Sequence, residues 1–234
     1  NLTMAGSLTL ISNFQGTFDG QGYRITNLLY NNAGTSNVGL FGSTTGAATI
    51  KNVVLWDANL TGSAFVGGIV GYMGAAAATI DNVLVKGNIK GTSYVGGLVG
   101  YFQGSSLTNS AVMSSTISEN SGSAGSYFGG AIGAIPSSSN AATIDKVKVA
   151  SSTVDNPGDN YTGGFIGQLD KAGSVIKNSS TSASVLNGSL YVGGFVGMLS
   201  AGTIGNSSST ISEPCVATGT VNGFQHVGGF VGYV

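Results

Sequence analysis

The chain has 234 residues, 41% of them hydrophobic, enough to bury a large core, yet only 7% are charged, where ordinary domains carry about a quarter. A formal net charge of -1 gives no basic footprint for nucleic acid and no charge run for a membrane surface. The single Cys215 excludes an intrachain disulfide and a cysteine-built metal site, and glycine interrupts every apolar run before it could span a membrane.

In chain order, the segment Phe14–Leu28 is a lead-in rich in Gly and aromatic residues, followed by a short core, Val38-Gly39-Leu40-Phe41-Gly42. Next come Thr49-Ile50-Lys51-Asn52-Val53 and Ala58-Asn59-Leu60-Thr61-Gly62, and then a second core, Val66-Gly67-Gly68-Ile69-Val70-Gly71. The cycle repeats along the chain. Core glycines end at 42, 71, 100, 133, 167, 197 and 232, giving intervals of 29, 29, 33, 34, 30 and 35 residues. Between them stand Thr79-Ile80-Asp81-Asn82-Val83 and Thr143-Ile144-Asp145-Lys146-Val147, with weaker copies at 107–110, 176–179 and 204–207. Each unit is two or three short strands of Val, Ile, Thr and Tyr bounded by Gly, Ser and Asn. A 3.6-residue period is nowhere sustained, and glycine is too frequent for helix interiors.

A unit of about 30 residues cannot bury its apolar faces alone, but stacked copies can. The expected fold is all-β, a parallel β-solenoid of about seven rungs with 29–35-residue repeats, with an antiparallel meander as the alternative. The array is expected to be continuous over residues 1–234, with a lead-in at 1–37. It starts without an initiator Met and stops inside a core motif, so a longer parent chain is expected.

Stacking turns repeat positions into columns. The residue before each core reads Asn37, Phe65, Tyr94, Tyr127, Tyr161, Tyr191 and His226, an aromatic ladder that fixes register or offers sugar rings a strip. His226, the only histidine, fits there as a packing variant of Tyr. A second column reads Asn27, Asn52, Asn82, Asn109, Lys146, Asn178 and Asn206, an amide ladder. Beside it, Lys51 is expected to pair with Asp81, and Asp145 with Lys177. The paired glycines mark a corner or a close backbone approach. Nine acids scattered along the rungs suggest no catalytic constellation, so no catalytic, cofactor-binding or metal-binding residue is assigned and no enzyme activity is expected. Asp155–Asn160 reads as a solvated turn, with a weak calcium loop as the alternative.

The Gly-rich cores and Thr-Ile-x-Asn-Val strands, with the opening Phe14–Leu28 segment, resemble the GLUG repeat over nearly the whole chain. Lys146 departs from the expected Asn, and Thr162 from the Val before the double Gly. Proteins with such repeats are typically large secreted or surface proteins of bacteria, including adhesin-like chains and non-catalytic regions of IgA-directed metallopeptidases. The resemblance implies an extracellular, non-enzymatic module without cofactors. Its expected partner is itself, as a rod, stalk or fibre; the alternative is an adhesin module that recognises glycans or another surface.

Overall fold

A computed structural model describes residues 1–4, 9–74, 76–120, 126–158, 160–205 and 214–234. The regular elements described are all β-strands, and no helix is long and apolar enough to cross a membrane. Every strand pairing is parallel, with each residue partnered about 30 positions further along the chain. The antiparallel meander is thereby excluded. The result is a parallel β-solenoid in which the core motif stands at seven levels: Val38, Val66, Val95, Phe128, Thr162, Val192 and Val227. Seven levels bound six complete turns, and the lead-in adds part of another, with Ile11 bridged to Phe41.

Each turn places several columns of side chains inward, among them these five. After the core-motif column come Phe41, Val70, Val99, Ile132, Ile166, Val196 and Val231. The third column runs Phe18, Ile50, Ile80, Leu107, Ile144, Ile176 and Ile204. The fourth is Ile25, Leu55, Val85, Val112, Val149, Thr181 and Ala217. The fifth is Tyr30, Leu60, Ile89, Ile117, Val154, Val185 and Val221. Alternation within each short strand sends these residues in and their neighbours out, and in the middle rungs the inward residues are fully buried.

The chain rounds its corners with residues in the left-handed region. Asn52, Asn82, Asn109, Lys146 and Asn178 hold φ between 50° and 56° at the first corner. Asn27, Asp57, Ser114 and Ser151 do so at the second, with φ of 47° to 58°. Asn reaches this conformation at low cost, which is the backbone reason for the Thr-Ile-x-Asn-Val pattern. Lys146 keeps the same φ of 56°, so its departure from Asn leaves the corner intact.

The paired glycines are explained by approach, since none of Gly67, Gly68, Gly96 or Gly97 carries a positive φ. A Cβ on Gly97 would lie 2.2 Å from the Gly130 carbonyl oxygen and 2.8 Å from a Val112 methyl. One on Gly100 would lie 2.6 Å from the Tyr94 carbonyl oxygen. The six-stranded sheet through Val66, Val95 and Phe128 thus lies almost in contact with the strands that follow it, and this closeness sets the aromatic face described next.

Candidate functional site

The surface feature built from the most residues is the aromatic column. Phe65, Tyr94, Tyr127, Tyr161, Tyr191 and His226 stack ring on ring in sequence. Their centroids are 4.9, 4.5, 4.8, 5.2 and 5.1 Å apart and their planes lie within 25°. Phe65, Tyr94, Tyr127 and His226 adopt positive φ, which is uncommon for bulky residues. Tyr161 and Tyr191 stack in the same ladder without it. A second aromatic file adds width at both ends: Tyr72 and Tyr101 stack at 5.2 Å and meet Phe65 edge-on, and Tyr233 packs against Tyr191 and His226. Sequence inspection missed this file, although Gly-Tyr recurs at Gly71-Tyr72, Gly100-Tyr101 and Gly232-Tyr233.

Ring faces in the main column are covered by the rings of adjacent rungs, so solvent meets edges and hydroxyls. Burial, followed by the neighbouring phenols, raises the Tyr94, Tyr127 and Tyr161 hydroxyls above the ordinary 10.0. The folded state therefore favours the neutral phenol. The stability this contributes is complete below the unfolded-state value and is lost as pH rises through the higher folded values. Alkaline titration is expected to show unfolding coincident with phenolate absorbance above pH 10.0, and Tyr127→Phe should move that transition to higher pH.

The first corner carries the amide and carboxylate ladder. Asn52 Nδ2 donates to Asp19 at 2.9 Å, Asn82 Nδ2 to Asn52 Oδ1 at 2.8 Å, Asn109 Nδ2 to Asp81 at 2.7 Å and Asn178 Nδ2 to Asp145 at 2.8 Å. Hydrogen bonds from Asn52 and the Gln21 backbone hold the Asp19 carboxyl below its ordinary value; those from Thr108 and Asn109 do the same for Asp81. Asn27 is a correction. Thr26 pairs with Trp56, so Asn27 stands at the second corner opposite Asp57, and Gly20 fills the first-corner place below Asn52. Asn206 lies outside the described residues. A shallow groove of about 450 Å³ follows this corner, lined in part by Asn52, Asn82, Asn109, Lys146 and Lys148.

The charged pairs divide. Lys51 is in register with Asp81, but its ammonium turns to Asp19 on the preceding rung at 3.4 Å, while Asp81 accepts from Thr108 and Asn109. Lys177 does meet Asp145, at 3.8 Å. Half-exposed pairs of this kind contribute about 0–1 kcal/mol, so they serve register more than stability.

Buried serines form a further ladder that sequence reasoning missed. Val83 N–H donates to Ser110 Oγ and Val147 N–H to Ser179 Oγ, at 3.2 and 3.1 Å. Those hydroxyls donate back to the carbonyls of Thr108 and Lys177. Left-handed corners interrupt the backbone ladder, and a serine just after the corner supplies the missing acceptor. Its signal was present as Asn-Ser in place of Asn-Val at 109–110 and 178–179. Cys215 is half-buried, with Sγ against the Ile176 carbonyl, and burial pushes its thiol up.

No protein-family model matches the chain. Halomucin of Haloquadratum walsbyi is 41% identical over 58 residues, which is 25% of this chain and 1% of halomucin. The chain therefore spans about 1% of the length of that curated relative. Among solved structures, a Bacteroides ovatus chain provisionally assigned as an immunoglobulin A1 protease superposes with a TM-score of 0.59. The match has 21% identity and covers 97% of this chain and 75% of that one. At that identity the likeness concerns architecture alone: this chain shares its overall fold with that protein.

Proposed function

We propose that the chain is a non-catalytic structural repeat of an extracellular or cell-surface protein, a rod, stalk or fibre segment that associates with copies of itself. The observation that carries this reading is the uniformity of the stack. In successive rungs, the second glycine of each pair lies against the next rung's carbonyl: Gly68 on Gly97, Gly97 on Gly130, Gly130 on Gly164, Gly164 on Gly194 and Gly194 on Gly229. Each of these rungs offers its neighbour the same seat, so length is built by repetition alone, and a surface with so few charges opposes self-association weakly.

The extracellular placement is supported by the stretch shared with halomucin and by the resemblance to GLUG-repeat surface proteins. The glycan-binding alternative draws less from the geometry, because the aromatic column offers edges where a sugar would stack on faces.

Analytical ultracentrifugation and electron microscopy of the protein test the reading. It is expected to associate into longer or bundled rods as concentration rises. Monodisperse single rods of the wild type at high concentration would sink the self-association.

A further inference from the structure

Just after the fifth column each turn reaches a position whose side chain is aimed into the core, and glycine usually occupies it. A methyl at Gly62, Gly91, Gly188 or Gly223 would meet a methyl of Val38, Val66 or Val192 at 2.5–2.7 Å. Two adjacent rungs break the pattern. Glu119 pairs with Gly91 at this position, and Asn156 follows Asp155, whose partner is Ser118. Both are buried, with 9% and 0% exposure.

The surroundings change with them. In these two rungs the facing valine is replaced by Phe128 and Thr162, and their core glycines end the intervals of 33 and 34 residues. Asn156 Nδ2 donates to Thr162 Oγ1 at 2.8 Å, which gives a reason for the departure of Thr162 from Val. The turn through Asn156, Pro157 and Gly158 closes on the carboxylate: a Cβ on Gly158 would lie 3.5 Å from Glu119 Oε2 and 3.9 Å from Oε1. Yet, among the described residues, Glu119 Oε1 and Asn156 Oδ1 are both buried without a hydrogen-bond partner.

Two buried acceptors on successive rungs, one of them a carboxylate, are unfavourable without a partner. A bound cation would relieve them. We propose that Glu119 and Asn156 form a divalent-cation site of the kind Ca²⁺ fills, with carboxylate and amide oxygens as ligands and water completing the shell. Hard oxygen donors suit Ca²⁺, and Mg²⁺ sheds its water more reluctantly. A single carboxylate places the affinity in the weak class of extracellular modules, with half-saturation at about 0.1–1 mM.

Thermal unfolding and titration calorimetry of the chelator-treated full chain with CaCl₂ test this. The melting temperature is expected to rise across that range, with a calcium heat that saturates, and MgCl₂ should act more weakly. Glu119→Gln keeps the shape and removes the charge. It is expected to retain the fold, match or exceed the wild-type melting temperature in chelator, and lose the calcium response. Asp57→Asn, at an exposed acid elsewhere, should respond as the wild type does. Absence of any calcium heat or melting shift in the wild type would overturn the site, as would an undiminished response in Glu119→Gln.

Discussion

Gly97→Ala and Gly130→Ala are each expected to destabilise the solenoid by about 3 kcal/mol or more, the upper part of the range for overpacked cores. The two residues share one repeat position. The new methyl would sit 2.2 Å from the Gly130 carbonyl oxygen in the first variant and 2.1 Å from the Gly164 carbonyl oxygen in the second. Those oxygens belong to backbone held on both sides by the parallel ladder, so no rotamer change relieves the clash. Denaturant unfolding of both variants measures the loss. An unchanged stability in either would mean that intrinsic strand preference, and not the seat of the next rung, decides these glycines.

Phe195→Ala should cost about 3–5 kcal/mol, as expected for a large aromatic lost from a core. Phe165, Phe195 and Phe230 stack at 4.5 and 4.8 Å with planes within 11°, and Phe165 and Phe195 are fully buried. Removing the central ring deletes both stacking contacts and leaves a cavity walled by rungs fixed at strand spacing, which cannot collapse into it. Phe195→Leu keeps most of the volume and should cost about 1.5 kcal/mol or less. Chemical denaturation of both variants provides the check, and a similar loss in the two would show that ring stacking, more than volume, sets the cost.

The periodic part of this architecture was legible because stacking demands it. Seven glycine cores in register encode seven levels, and the Thr-Ile-x-Asn strings encode a strand that ends in a left-handed corner. What escaped notice depends on choices between equivalent neighbours. Ile25-Thr26-Asn27 looks like Ile50-Lys51-Asn52, yet Phe18 and Asp19 pair with Ile50 and Lys51, which moves Asn27 one corner along. Lys51 has an acid on each side, and Asp81 is already engaged by two hydrogen bonds, so the ammonium turns the other way. Thr162 read as a flaw in a valine column until Asn156, its buried partner, was seen beside it. The serine ladder was hidden for a related reason: its value lies in a backbone N–H about 30 residues distant, which no local pattern displays.

The parallel register has a consequence for how such a chain can change length. Strand pairing joins each residue to its equivalent one turn away, so a rung is answerable mainly to the rungs directly beside it. A whole turn can be removed or duplicated between equivalent corners and the cut faces will still match, since each column meets its own kind. Losing a few residues inside a strand instead shifts every inward side chain above the cut out of its column. Viable length variants of this protein should therefore differ by complete turns, and the rod can be long or short without its cross-section being redesigned.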